Sequence, residues 1–309
     1  MQSRHMDIIK RAGVTGLSVA LCLIGLWMPS GLDAKTVTDQ LGRSIQVPET
    51  PMRVVSLAPN ITEIIYFIGQ QHLLVGVSRF SDYPKAAQEL PKVGSYVQLD
   101  LERIVALQPD LCIAIKDGNP KATVDRLEGL GIPVYAVNPQ RLASVLETVR
   151  ELGRLLNAED HAGTLASQLE TRIQHIDRLV GQSQNRPGIF FQIGVAPIVS
   201  AGSDTFIHEI IERSGARNLA GDVGGYPKFS REEVIGLSPE VIIITSMARN
   251  EVFQEVRDEW LSWKSIPAAG RGRVYVQDSN FLDRPGPRLV DGLELLARLI
   301  HPELFRNVP

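Results

Sequence analysis

Signatures of catalysis are scarce in this chain of 309 residues. It contains no G-x-S-x-G nucleophile elbow, no Walker-type phosphate loop and no G-x-G-x-x-G fingerprint after a strand. None of its six histidines pairs with another at the spacing of a metal site. We therefore expect no enzymatic activity, no cofactor and no bound metal.

Cysteine and net charge are also low. Only Cys22 and Cys112 are present, and Cys112 lies in the apolar run 110–115, where a small buried core residue is expected rather than a reactive thiol. The formal net charge is −3, which argues against nucleic acid or an anionic membrane surface as the partner.

The N-terminus has the features of an export signal. Arg4, Lys10 and Arg11 precede the apolar run 12–28, and Ala34 is a small residue at a plausible cleavage point. An uncleaved membrane anchor is the alternative, although the run is slightly shorter than a span of about 20 residues. We expect residues 1–34 to be a cleaved signal peptide and the protein to be exported. Only Cys112 would then remain, which excludes an internal disulfide.

A segment of the chain is repeated about 130 positions later. Residues 101–111 and 231–241 each start behind a capping residue, Asp100 or Ser230, and continue with helically spaced apolar residues, a proline and an apolar strand. A repeat at this distance indicates two similar lobes, because a solenoid would have a period of about 20–50 residues. Two matched lobes usually leave a cleft between them.

The first helices of the two lobes match as well. Glu63 followed by Gly69 parallels Glu209 followed by Gly215, with two isoleucines after each glutamate. Because the similarity extends beyond one motif, it supports equivalent lobes.

Short apolar strands alternate with helical segments in both halves, which predicts an α/β fold of two Rossmann-like lobes with mostly parallel sheets. Between the halves, helical spacing continues for more than twenty residues, and this position favours a rigid connector over an ordinary surface helix. The predicted organisation is an N-terminal lobe at residues 35–156, an interlobe helix at 157–184 and a C-terminal lobe at 185–309.

Aromatic and polar side chains cluster at predicted loop tips beyond the strands, where open α/β sheets bind ligands. One aromatic residue on a loop normally covers a local core, but several on comparable loops of both lobes indicate a surface for a large, flat, largely apolar ligand, with Asn280 and Arg284 orienting it. The candidate ligand-binding residues are Phe80, Tyr83, Tyr96, Asn119, Ile193, Tyr226, Asn280, Phe281 and Arg284.

Five segments carry a resemblance to a known family: residues 53–59, 81–84, 101–111, 230–234 and 287–288. They resemble the class III substrate-binding proteins of ABC importers, and within that family the periplasmic cobalamin-binding proteins. The resemblance covers nearly the whole mature chain. It implies two α/β lobes joined by one long helix, a periplasmic location, and a corrinoid that is transported as ligand.

The same resemblance has consequences for the site. Family cobalamin sites place aromatic residues where Phe80, Tyr96, Tyr226 and Phe281 stand. An acidic-then-basic pair is matched only in part, because Asn280 stands at the acidic position while Arg284 is kept. Ile193 replaces a further aromatic residue. Because of these departures, the ligand could also be a different corrinoid or another tetrapyrrole.

The resemblance also implies a partner. Glu102 and Glu232 occupy matching positions near the starts of the repeated helices, where they could simply stabilise the helix dipole by roughly 0.3–1 kcal/mol. Family members use these glutamates to dock a monomeric binding protein on the paired permease subunits of the importer.

Two other functions compete with corrinoid transport, besides a sensor-associated binding domain, which has the same sequence features as a transport protein. The first is a ferric-siderophore or haem-binding protein of the same family, which the few basic groups of the cleft loops disfavour: Arg79, Lys228 and Arg284. The second is a secreted two-lobe hydrolase, which the missing nucleophile and metal motifs disfavour.

Overall fold

Two parallel sheets organise the part of the chain that the computed structural model describes, residues 34–246 and 252–306. The predicted signal peptide at residues 1–34 lies outside these ranges except for Ala34. None of the helices within them combines the length and the apolar character needed to cross a bilayer.

The first lobe contains an antiparallel hairpin and a parallel sheet. The hairpin is formed by β1 (Ala34–Thr38) and β2 (Ser44–Pro48). The sheet strands are β3 (Val54–Ser56), β4 (Leu74–Val77), β5 (Leu111–Ile115) and β6 (Val134–Val137), in the order β4-β3-β5-β6. The helices are α1 (Pro59–Phe67), α2 (Leu101–Ala106), α3 (Lys121–Gly129) and α4 (Leu142–Leu155). Apolar residues cover both faces of the sheet, as a parallel sheet requires.

One long helix, α5 (Glu159–Val180), connects the lobes. Its 22 residues correspond to a length of about 33 Å. Ala162 and Ala166 belong to the core of the first lobe. Four later residues belong to the core of the second lobe: Leu169, Ile173, Ile176 and Val180. Consequently α5 is packed into both cores and is not a free linker.

The second lobe repeats the parallel architecture. Its strands are β7 (Gly188–Gln192), β8 (Ile198–Val199), β9 (Arg217–Asn218), β10 (Lys228–Phe229), β11 (Val241–Ser246) and β12 (Val274–Asp278). The main sheet has the order β12-β11-β7-β9, and β8 pairs with β10 separately. The helices are α6 (Phe206–Arg213), α7 (Arg231–Gly236), α8 (Val252–Ser262), α9 (Pro267–Gly270), α10 (Ser279–Leu282) and α11 (Leu289–Ile300).

The fold class predicted from the sequence is therefore confirmed: two α/β lobes with parallel sheets, joined by one long helix. Residues from 34 onward form one compact unit, and the boundaries proposed at 156/157 and 184/185 stay predictions.

The sequence repeat corresponds to matching local structures, α2 and α7. The Asp100 side chain accepts a backbone N–H of its helix at 3.1 Å, and Ser230 with Glu233 forms the predicted capping box. Each helix is followed by a residue with left-handed backbone, Gln108 with φ 46° and Ser238 with φ 50°, directly before the proline. Each proline then leads into the central strand of its sheet, so the two repeats have equivalent places in the two lobes.

Candidate functional site

A cavity of about 830 Å³ lies between the lobes. Its first wall comes from the loops that follow β3, β4, β5 and β6, and its second from the loop after β7, the start of α6, the loop before β10, and α10. The volume is within the range of about 300–1,000 Å³ that is typical of small-molecule sites. The predicted interlobe cleft is thus present at the carboxyl ends of the strands.

Four aromatic side chains of the described residues line this cavity, Phe80 and Tyr96 from the first lobe and Phe206 and Tyr226 from the second. The rings of Phe80 and Tyr96 meet edge to face, with centroids 6.1 Å apart. Gly118, at φ 145°, makes room for Tyr96, because a Cβ there would lie 2.7 Å from the ring. Tyr226 is 53% exposed, so its ring offers a free apolar surface to a ligand.

Six of the nine candidate ligand-binding residues line the cavity: Phe80, Tyr96, Ile193, Tyr226, Asn280 and Arg284. Three do not. The Tyr83 ring lies under the guanidinium of Arg288, 3.9 Å from the ring centroid, and Phe281 packs against the core of the second lobe. A role in ligand binding stays a prediction for all nine.

Asn119 is the third candidate residue that does not line the cavity. Its buried side chain supports the cavity wall through hydrogen bonds. Its Oδ1 accepts the N–H of Ile115 at 2.7 Å, and its Nδ2 donates to the carbonyls of Leu57 and Tyr96 at 3.1 and 2.7 Å. The buried amide therefore ties two loops to the end of β5.

Arg284 lines the cavity, but its hydrogen bonds cross to the first lobe. Its Nη1 donates to Glu63 at 3.3 Å and to Asp82 at 3.0 Å, and its Nη2 donates to the Phe80 carbonyl at 3.1 Å. Burial lowers the pKa of this guanidinium. Arg284 thus holds the lobes together, a contact that was not expected from the sequence.

The charged part of the cavity wall is mostly acidic. Four aspartates line it: Asp82, Asp117, Asp204 and Asp283. Among the described residues of the lining Arg284 is the one basic residue, and its ion pair with Asp82 offsets both charges. The predicted cations Arg79 and Lys228 do not line the cavity. Sequence reasoning missed this acidic wall, although Asp117 and Asp283 lie on loops that it assigned to the cleft.

Asp283 has the most unusual environment of the four. Its Oδ1 accepts a hydrogen bond from the Thr245 hydroxyl at 3.0 Å, while its Oδ2 is buried and has no partner among the described residues. Burial raises the pKa of this carboxyl from 3.8 to about 7, against the opposing effects of the Thr245 hydrogen bond and the Arg284 charge. Asp283 is therefore partly protonated near neutral pH.

The two glutamates predicted to dock the permease lie away from the cavity. Glu102 and Glu232 are in the first turns of α2 and α7, and both are exposed. Neither makes a hydrogen bond or ion pair within the described residues, and docking stays a prediction.

Other reactive groups do not form a second site in residues 34–246 and 252–306. No group of three or more His, Cys, Asp or Glu side chains could hold a metal ion there. Cys112 is buried and unpaired, and desolvation raises the pKa of its thiol to about 12, so that it is unreactive.

Known proteins resemble this chain over most of its length. Residues 54–281 match the family model described as periplasmic binding protein. An uncharacterized ABC transporter substrate-binding lipoprotein of Bacillus subtilis is 29% identical over 96% of this chain and 99% of its own length. A Vitamin B12-binding protein of Vibrio campbellii is 31% identical over 78% of this chain and 86% of its own length.

A solved structure with the same fold is a periplasmic heme-binding protein of Pseudomonas aeruginosa. It superposes with a TM-score of 0.73 at 30% identity, over 82% of this chain and 93% of that one. Proteins named for two different tetrapyrrole ligands are therefore about equally similar to this chain.

Proposed function

Since this chain belongs to the periplasmic binding protein family, we propose that it captures a corrinoid, cobalamin or cobinamide, between its lobes and passes it to the permease of an ABC importer. In this proposal residues 1–34 are removed on export and the mature protein works in the periplasm without catalysis.

The observation that carries the proposal is the combination of aromatic side chains and carboxylates in the cavity wall. A corrinoid presents an apolar ring face and a rim of primary amides, and each amide has two N–H donors. Phe80, Tyr96 and Tyr226 offer surfaces for the ring. Asp117 and Asp204 offer acceptors for amide N–H groups, since carboxylate oxygens accept hydrogen bonds.

Haem is the main alternative, because a haem-binding protein shares the fold at 30% identity. Haem carries two propionate carboxylates, and a ferric catecholate siderophore is an anionic chelate. Both would bring negative charge to a wall whose described residues include four aspartates and one arginine. Arg284, the basic residue of the lining, already bonds to Glu63 and Asp82. The charge of the wall favours a neutral or cationic ligand.

Titration calorimetry with cyanocobalamin, dicyanocobinamide, haemin and a ferric hydroxamate tests the proposal. We expect tight binding of at least one corrinoid and little change with salt, because stacking and hydrogen bonds to the cavity wall are screened less than exposed ion pairs. Tyr226→Ala should weaken corrinoid binding by about 1–3 kcal/mol. Tyr66→Ala is the control, since Tyr66 packs against the core of the first lobe and does not line the cavity.

Tight binding of haemin or of the ferric hydroxamate, with no heat from either corrinoid, would reverse this assignment. Equal losses in the Tyr226 and Tyr66 variants would show that the ligand lies elsewhere.

A further inference from the structure

A buried group of charges joins the two lobes beside the cavity. Glu63 of α1 is 1% exposed, and its carboxylate accepts hydrogen bonds from two arginines of the second lobe. Arg288 donates from Nε at 2.8 Å and from Nη2 at 2.6 Å, and Arg284 donates from Nη1 at 3.3 Å. Arg284 also bonds to Asp82 at 3.0 Å. The group thus contains two carboxylates and two guanidiniums, whose formal charges cancel.

Such a group determines geometry more than stability. The hydration that buried ions lose offsets much of their attraction, so an intact buried pair adds little to the free energy of folding. Removing one partner is far more damaging, because the remaining charge stays buried without compensation. If Glu63 were neutral, Arg284 and Arg288 would lie close together as two cations, with Asp82 as the remaining carboxylate of the group and Asp278 acting on both arginines from outside it. Their repulsion would act across the boundary between the lobes.

The ion group and the cavity wall share the same elements. One turn before Glu63, Asn60 lines the cavity, and its Nδ2 donates to the carbonyl of Pro285 at 3.2 Å, again across the lobes. Arg284 and Asp82 belong to the ion group and also line the cavity. A separation of the lobes at Glu63 would therefore widen the cavity directly.

A second glutamate contacts the opposite lobe through a backbone N–H and also pairs with Arg213 of its own helix at 3.1 Å. Glu209 of α6 is the sequence counterpart of Glu63, and its Oε2 accepts the N–H of Leu142, the first residue of α4, at 2.7 Å. Arg288 is the N-cap residue of α11. In both cases a glutamate on the first helix of one lobe reaches the start of the last long helix of the other lobe. A carboxylate is favourable at such a helix N-terminus.

We propose that Glu63, together with its counterpart Glu209, is a positioning residue of the ligand site: it holds the lobes at the separation that gives the cavity its width. This inference depends on the cavity as the binding site and not on which ligand occupies it.

A distance measurement on the ligand-free protein tests the proposal. Spin labels are placed at Lys121→Cys on α3 and Asp258→Cys on α8, both exposed positions on different lobes. Cys22 is replaced by serine in the full chain, and the buried Cys112 does not compete for label. Pulsed electron resonance then gives the distribution of interlobe distances.

Glu63→Gln should shift this distribution to longer distances by a few ångström and broaden it. Glu209→Gln should shift it less in the same direction, because the Glu209 side chain is 24% exposed while that of Glu63 is 1% exposed. Glu128→Gln is the matched control, since Glu128 pairs with Arg43 at 2.9 Å inside the first lobe. An unchanged distribution in Glu63→Gln overturns the proposal.

A second variant covers the case in which Glu63→Gln fails to fold, as judged by circular dichroism. Arg288→Lys keeps the charge but loses the paired donors of the guanidinium, so it should lengthen the interlobe distance as well. An unchanged distribution in that variant then overturns the proposal.

Ligand titration separates this inference from the proposed function. Glu63→Gln should weaken corrinoid binding by about tenfold or more, while Glu128→Gln leaves it unchanged. Wild-type protein that binds no corrinoid contradicts the proposed function, and the distance measurement on the empty protein still decides the role of Glu63.

Discussion

The side chain of Asp283 is held in the cavity wall in an environment that makes its ionisation unfavourable. Its carboxyl is buried with one oxygen bonded to Thr245 and the other without a partner in the described structure. Ionising it is unfavourable because desolvation disfavours the charged form, which raises its pKa to about 7. In an unfolded chain the same group titrates near 3.8. The folded protein thus holds a proton that the unfolded chain releases between these values.

This difference predicts an unusual pH dependence of stability. Because the folded pKa is raised, the stability that Asp283 contributes is present below pH 3.8 and is lost as the pH rises from there through about 7. Relative to Asp283→Asn, the wild-type free energy of unfolding should fall by up to about 1.4 kcal/mol per pH unit within this window. Urea denaturation of both proteins between about pH 5 and pH 8 measures the difference.

Asp125→Asn is the matched control, since Asp125 is an exposed partner of Lys121 on α3. A difference between wild type and Asp283→Asn that does not vary with pH would mean that Asp283 is ionised throughout, in contradiction to its burial.

The helix α5 determines how the lobes can move relative to each other. It is continuous over Glu159–Val180, and it contributes side chains to the cores of both lobes. A continuous helix keeps its backbone hydrogen bonds and bends far less readily than an extended linker. Large hinge motions usually need a few loop residues that absorb backbone rotation. Only small rearrangements of the lobes are therefore expected.

We expect ligand binding to close the cleft only slightly. Small-angle scattering of the protein with and without a saturating corrinoid should give nearly the same radius of gyration, because α5 and the Glu63 contact already set the interlobe separation. A buffer blank with the same concentration of cyanocobalamin corrects for scattering by unbound ligand. A large decrease in radius on binding would show that α5 bends or that the lobes are open in solution.

The two lobes present equivalent surfaces to a partner. The helices α2 and α7 have equivalent caps and equivalent exits into the central strand of each sheet. Glu102 and Glu232 are exposed at corresponding places on them. A partner with two-fold symmetry would meet the same feature twice, as expected for a dimer of permease subunits. Charge complementarity would then orient the binding protein on the importer.

Reversing both charges should abolish transport without changing the fold. The double variant Glu102→Arg/Glu232→Arg should bind its ligand with nearly wild-type affinity, since neither residue lines the cavity. Uptake by a reconstituted importer should be lost. A purely local role at the helix dipole predicts normal uptake and a loss of roughly 0.3–1 kcal/mol in stability for each glutamate.

Glu147→Arg/Glu255→Arg provides a control with the same change of charge on exposed residues of α4 and α8. Undiminished uptake by the Glu102/Glu232 variant would remove the docking proposal. Loss of uptake in both double variants would indicate a general effect of net charge.

Local sequence signals were sufficient to predict the two-lobe architecture. The repeat of cap, helix, proline and strand is local, because each feature acts within a few residues of its position: Asp100 and Ser230 cap, and the prolines end the helices. The unbroken apolar spacing before residue 181 likewise predicted α5. Two lobes, their parallel sheets and the cleft at the strand ends follow from such local signals.

Which loop residues face the cavity depends on long-range contacts in the folded protein. Tyr83 and Phe281 were expected there, but Tyr83 stacks on Arg288 and Phe281 packs into a core. Arg284 was expected to orient the ligand, but its guanidinium bonds to Glu63, 221 positions away in the sequence. The direction of a loop side chain depends on contacts between distant segments, which local periodicity does not encode. The acidic wall arises in the same way, because its four aspartates come together from separate loops only when both lobes are assembled.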